Sequence, residues 1–432
     1  MKRPFLILPT LACILLVSLA ADSAETGKDQ TLWKQVQQAR PTLLHDIETL
    51  VNIDSPAGFE PGLSRIGEFL ADRLRKAGAR VEAFATGKGG ANIVAILDGS
   101  GPGSVLLIGH VDTVFEPGTA AERPFKAHSG RATGPGIADA KSGVALGLAA
   151  LRLIKERRAS FGRVTLLITC DEEIGSPGAR ELLAALAREH QYALVLESGS
   201  PDDGVKASRR GQATLSVEVR GKATHVANEP ELGANALQEL CHQVTQLTAL
   251  THRERKTSVS FTQLRAGGKA NVIPELASAR ADVRAALPEE FDRIERAAQE
   301  LSKVHRVAGV EVQVGLSRGR PVFPANPRSG MLADKARTIY RELGLELKID
   351  DSAGSSDANY AHAAGAATLD GLGPVGGRTH TAQEFILLKS LTSRLYLLTR
   401  LVESLAAEGP ARPPAATPLL PGEAMPAAPA RQ

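Results

Sequence analysis

Four short apolar runs constrain this chain most: ANIVAILDG (91–99), SVLLIGH (104–110), RVTLLITC (163–170) and YALVLES (192–198). Each has strand length, and none shows the apolar-polar alternation of a strand with one wet face. Such runs read as strands covered on both faces. Helical stretches lie among them, at LSRIGEFLADRLRKAG (63–78), SGVALGLAALRLIKER (142–157) and GARELLAALAREH (178–190). The alternation predicts an α/β layered sheet, in which sites collect beyond the carboxyl ends of the strands.

From about Arg209 to Ser317 the rhythm changes. ATLSVEVRG (213–221) alternates as a half-buried strand does. It is followed by a helix (233–247), two strand candidates (257–267 and 277–287), a helix (289–304) and a last strand (310–317). This β-α-β-β-α-β order is that of a small two-layer, ferredoxin-like α+β domain. The first pattern resumes with the helix SGMLADKARTIYREL (329–343) and runs to about Leu405. The expected organisation is a layered domain in two parts, 31–208 and 318–407, with a smaller domain, 209–317, inserted.

The 432 residues suffice for more than one domain, and 43% hydrophobic with 23% charged residues is ordinary for a soluble globular protein. A net charge of +3 leaves no electrostatic footprint for nucleic acid or a membrane surface. Residues 1–20 have a basic start, an apolar stretch from Phe5 to Leu19, and small residues at Ser18 and Ala20. They read as a signal peptide cleaved after Ala20, which implies a periplasmic or secreted protein; an uncleaved anchor is the alternative. Cleavage leaves Cys170 and Cys241, too few for a disulfide framework. The Pro- and Ala-rich segment 408–432 reads as a disordered tail.

Several apolar runs end in residues that bind metals. In His110-Val111-Asp112, residues two apart on an extended segment face the same way. The imidazole can then bind a metal while the carboxylate takes its other ring N–H. In GPGIADAKSG, Asp139 sits in a glycine-rich loop before a helix; it can bridge two metals or cap the helix. Asp171-Glu172-Glu173 directly follows RVTLLITC. Adjacent acids there repel one another without a cation, and neighbouring side chains diverge, so one can bind metal while the other acts as general base. Glu197 ends YALVLES, and His380 lies in GGRTHTAQEF before a helix. Together, these residues are what a carboxylate-bridged two-zinc hydrolase needs.

The joint presence of GHVDTVF, GPGIADAKSG, TCDEEIGS, GKATHVANEPELGANAL and GRPVF, in this order, resembles the zinc aminoacylase/carboxypeptidase family of di-zinc metallopeptidases. The likeness is greatest to its glutamate carboxypeptidase (carboxypeptidase G) branch and runs from about Thr31 to Leu405. It implies two zinc ions per subunit, with His110 and Glu197 on one, Glu173 and His380 on the other, and Asp139 between them. It also implies a cis peptide bond between Asp139 and Ala140. Asp112 would orient His110, and Glu172 would be the base in metal-hydroxide attack. His225 would reach across a homodimer, formed through the inserted domain, to the other subunit's site. Asn271, Arg284, Arg320 and Gly354 match positions linked with a carboxylate-bearing substrate. The implied activity is hydrolysis of the amide before a C-terminal amino acid, with glutamate expected, in folate-type, short-peptide or N-acyl amino acid substrates. A broader N-acyl deacylase or dipeptidase, and a non-catalytic binding protein of the same fold, are the alternatives.

Overall fold

The computed structural model describes residues 27–87 and 89–408. The expected signal segment, and all of the expected tail beyond Glu408, lie outside the described residues. The larger sheet has six strands in the order Arg80–Ala85, Ala91–Asp98, Arg163–Thr169, Ser104–His110, Tyr192–Val195, Ala367–Leu369. The last four run parallel, while Ala91–Asp98 is antiparallel to both of its neighbours. The carboxyl ends of the parallel strands, at Thr169, His110, Val195 and Leu369, therefore share one edge of the sheet.

The unbroken apolar character of these strands has a direct structural reason. Val105 and Leu107 point into a core built with the helices Gln30–Val51, Glu60–Lys76, Ser142–Glu156 and Ser390–Ala406. Leu106 and Ile108 point the other way, against Leu182, Leu183 and Leu186 of the helix Arg180–Glu189 and Ala358 of the helix Asp357–Ala363. Alternate side chains thus enter different cores, and neither face is left wet.

The second sheet has four antiparallel strands in the order Ser258–Ala266, Leu276–Ala285, Gly211–Arg220, Glu311–Arg318. The helices Ala236–Thr248 and Glu289–Leu301 cover one face. That face takes the odd-numbered residues Ala213, Leu215, Val217 and Val219 of the Gly211–Arg220 strand. The architecture is the expected α/β layered fold with an inserted ferredoxin-like α+β unit.

Three short features escaped the periodic reading. Ala367–Leu369 closes one edge of the large sheet, Gly204–Arg209 pairs in parallel with Lys348–Ser352, and Phe385–Leu387 joins a small sheet with Arg131–Thr133. Three to six residues are too few to display a period. No helix among the described residues is long and apolar enough to cross a membrane.

Candidate active site

His110 is the last residue of a central strand and is 1% exposed. Past the neighbouring strand, residues 172–174 make one tight turn closed by Gly175 in the left-handed region at φ 91°. This turn sends the adjacent acids apart. The Glu172 carboxylate meets the Arg320 guanidinium at 2.8 Å, and the Glu173 carboxylate meets His380 Nε2 at 3.1 Å.

Asp139 is brought in by close backbone approach. Gly136 has φ 71°, and a Cβ there would lie 2.5 Å from the Thr113 methyl. A Cβ on Gly143 would lie 1.9 Å from the Leu196 carbonyl oxygen, so only glycine lets the helix start this close to the strand end bearing Glu197. The Asp139–Ala140 peptide bond is cis, as the resemblance implied.

The two Asp139 oxygens face different partners. Oδ1 is 2.9 Å from His110 Nε2, which is itself 3.4 Å from Glu197 Oε1. Oδ2 is 3.2 Å from His380 Nε2, which also contacts Glu173. Two half-sites thus share one carboxylate. These separations match the spacing between ligands around a tetrahedral zinc, about 3.3 Å for bonds of about 2.0–2.1 Å. Metal-binding atoms of His110, Asp139 and Glu173 all lie within 4.8 Å of one another.

The electrostatics fit a cation. Burial works against a charged His110, but hydrogen bonds to Asp112, Asp139 and Glu197 prevail and hold it well above the ordinary range. His380 is pushed up to about 10, chiefly by its bonds to Asp139 and Glu173. Imidazolium protons thus offset a buried surplus of carboxylates, a role that metal ions take over when they displace those protons. Glu172 is raised well above the carboxylate range, mainly by burial, even though Arg320 pulls the other way.

Asp112 is buried beside His110, with Oδ1 3.4 Å from Nδ1, while its backbone carbonyl oxygen is nearer to Nδ1 at 3.1 Å. Its carboxylate accepts hydrogen bonds from the backbone N–H groups of Glu172 and Glu173, at 3.1 and 2.9 Å. Asp112 therefore ties the His110 strand end to the acidic turn as well as facing the imidazole.

Glu384 went unnoticed in the sequence, although it lies in the GGRTHTAQEF segment. Oε1 accepts from the N–H groups of Ala138 and Asp139 at 2.8 and 3.0 Å, and Oε2 accepts from that of Gly136 at 3.1 Å. It is 1% exposed, and burial together with the Asp139 charge raises it to about 7. The available signal was an acid next to an apolar strand, four residues past His380.

The site opens into a cleft of about 590 Å³. Asp139, Glu172, Glu173, Glu197 and His380 line it, and so do Lys206, Arg209, Arg284 and Arg320. Arg284 and Gln212 come from the uncovered face of the small sheet, where they pair in register. Arg284 bonds Asp282 at 2.7 Å and Ser355 Oγ at 3.0 Å, and Gly354 lies on the same wall. His225 and Asn271 do not line this cleft. Both are on the inserted unit, where the N–H of Val226 donates to the Asn271 carbonyl oxygen at 3.2 Å.

A mostly parallel sheet, covered on both faces, thus carries at its carboxyl edge a cluster of imidazoles and carboxylates that could hold metal. The model of the peptidase family M20/M25/M40 matches residues 106–404. Carboxypeptidase G2 of Pseudomonas sp. (strain RS-16) is 33% identical over 412 residues, covering 94% of this chain and 99% of its own. Succinyl-diaminopimelate desuccinylase of Bordetella parapertussis is 28% identical over 355 residues, covering 78% of this chain and 91% of its own. Among solved structures, the Bacillus subtilis YXEP protein, a dinuclear metal-binding peptidase, superposes with a TM-score of 0.64 at 15% identity, over 86% of this chain and 99% of its own. The chain belongs to the M20/M25/M40 peptidase family and is a metal-dependent amide hydrolase.

Proposed function

We propose that this protein is an exported, homodimeric di-zinc carboxypeptidase that cleaves the amide before a C-terminal amino acid, with glutamate preferred. The observation that carries the reading is Asp139, whose two oxygens each face a separate imidazole–carboxylate pair. His110 and Glu197 would hold one zinc, and Glu173 and His380 the other. Bound zinc would acidify water to a pKa of about 7 and polarise the scissile carbonyl.

The chain's own groups supply the rest. The Glu172 carboxylate takes a proton from the attacking water and returns it to the leaving nitrogen, so that one amide and one water become a carboxylate and an amine. Burial that raises Glu172 suits it to both halves of this transfer. Asp112 orients His110. Arg284 and Gly354, on the opposite wall, suit the carboxylate of the substrate. His225 and Asn271, on the inserted unit (209–317), would serve the partner subunit's cleft.

The identity to carboxypeptidase G2 supports the glutamate reading, while that to the desuccinylase supports a broader N-acyl amino acid deacylase. Incubation with folate-type, dipeptide and N-acyl amino acid substrates separates them. Release of glutamate alone supports the first reading and broad release the second. No release of any amino acid by the zinc-loaded protein sinks both. Export is checked by N-terminal sequencing of the mature protein, which an intact Met1 would contradict.

A further inference from the structure

Resemblance put Arg320 among residues that bind a substrate carboxylate. Its surroundings point to other work. Arg320 follows the last strand of the small sheet and reaches back to the acidic turn of the large one. Nη2 is 2.8 Å from Glu172 Oε1 and donates to the Glu172 carbonyl oxygen at 2.6 Å. Arg320 therefore grips the same residue by its backbone and by its carboxylate. Nη2 also donates to Ser176 Oγ at 3.2 Å and lies 3.7 Å from Asp357 Oδ1. Asp357 is itself held by Thr169 and Ser176, which donate their hydroxyls to it.

Exposure and charge agree with this assignment. The Arg320 side chain is 8% exposed and that of Arg284 is 27% exposed, so Arg284 is the more open of the two guanidinium groups. The Arg320 Nε has no protein partner among the described residues and is closed off from solvent. Two carboxylates, Glu172 and Asp357, already face the Arg320 charge. A third anion entering there would displace Glu172 and meet the repulsion of Asp357. A buried cation already held between two carboxyl groups has its partners where it stands.

We propose that Arg320 is a positioning residue for Glu172: it fixes the carboxylate through a two-point grip and leaves recognition of the substrate carboxylate to other groups in the cleft. The inference rests on Glu172 being the base. An unpositioned base leaves ground-state binding intact and slows the chemical step.

The test compares Arg320→Met and Arg320→Lys with the wild type, on a substrate with a free C-terminal carboxylate. Zinc content and thermal midpoint are recorded for each variant. Arg320→Met is expected to lower kcat about 100-fold, the scale of a general-base contribution, with KM changed less than about 3-fold. Arg320→Lys restores part of kcat, because a single ammonium can reach the carboxylate without reproducing both contacts.

The second arm measures substrate binding by calorimetry in the Glu172→Gln background, where turnover does not interfere and the amide oxygen still faces Arg320. Adding Arg320→Met there is expected to leave Kd unchanged. A rise in Kd of tenfold or more, in step with a similar rise in KM, would overturn the proposal and make Arg320 a carboxylate clamp. If Arg320→Met does not fold, Arg320→Lys in the same background gives the same reading from Kd. Failure of the underlying function is distinguishable, because the wild type would then release no amino acid.

Discussion

The two sheets of this protein solve opposite problems. The six-stranded sheet is covered on both faces, so all its ordinary side chains go to packing and its chemistry is pushed to one edge. The four-stranded sheet is covered on one face only, so its open face is free to carry Gln212, Asp282 and Arg284. The first gathers acids and imidazoles beyond its strand ends, where backbone geometry sets their spacing closely. The second presents polar side chains along a surface that meets the first across the cleft. On the proposed function, catalysis and recognition fall to elements with different burial.

The sharpest test of that division is Glu172→Ala, at the edge of the large sheet. It should lower kcat by about 10³-fold or more while zinc content stays unchanged, as read by steady-state kinetics and metal analysis. Retained turnover would remove Glu172 from its role.

Acid should act on the two sheets in different pH windows. Burial depresses His190, beside the large sheet, from the usual 6.5 to about 4. The neutral imidazole is therefore favoured in the folded state. Its stabilising effect is complete above about pH 6.5 and is lost as pH falls from there to about 4. The loss is roughly 3 kcal/mol, because each tenfold change in proton affinity is worth about 1.4 kcal/mol. Glu290, on the small sheet's helix, is lowered to about 2: burial opposes this, but bonds from Arg293, Arg255 and Thr257 prevail. Its contribution is present above the usual 4.5 and fades toward about 2. Hydrogen exchange followed during acidification should therefore quicken in Arg163–Thr169 before Gly211–Arg220, and His190→Gln should flatten the first response. Simultaneous loss in both sheets would break the comparison.

Recognition from the open face predicts that Arg284→Ala raises KM about 10- to 100-fold for a carboxylate substrate, the worth of a charged hydrogen bond, with kcat changed far less. An equal fall in kcat would shift Arg284 to the chemical side. Glu384→Gln should weaken zinc binding about 10-fold, a loss typical of residues that hold metal ligands in place, because its amide nitrogen cannot accept from the loop N–H groups. Competition with a chromogenic chelator measures this; unchanged affinity would mean that the Asp139 loop holds its shape unaided.

Much of the site could be read from the chain. His110, Glu173 and Glu197 end or follow continuous apolar runs, and an acid or imidazole at such a place stands out. Asp139 and His380 were visible as loop residues, and their pairing came only from resemblance. Glu384 passed unseen because its partners are backbone N–H groups 245 to 248 residues away, and no local pattern encodes that distance. The resemblance gives Arg320 a substrate carboxylate as its partner. Its nearness to Glu172 joins residues 148 positions apart, which sequence spacing cannot express.

What the sequence determined by itself was the class of each sheet, since continuous and alternating apolar patterns follow directly from two-sided and one-sided burial. It also determined which acids and imidazoles end the strands. Tertiary structure alone decided which of them meet: that Asp139 divides its oxygens between two imidazoles, that Glu384 holds the Asp139 loop, and that Arg320 faces Glu172. Periodicity is a property of neighbours along the chain, whereas a ligand set or an ion pair is a property of neighbours in space.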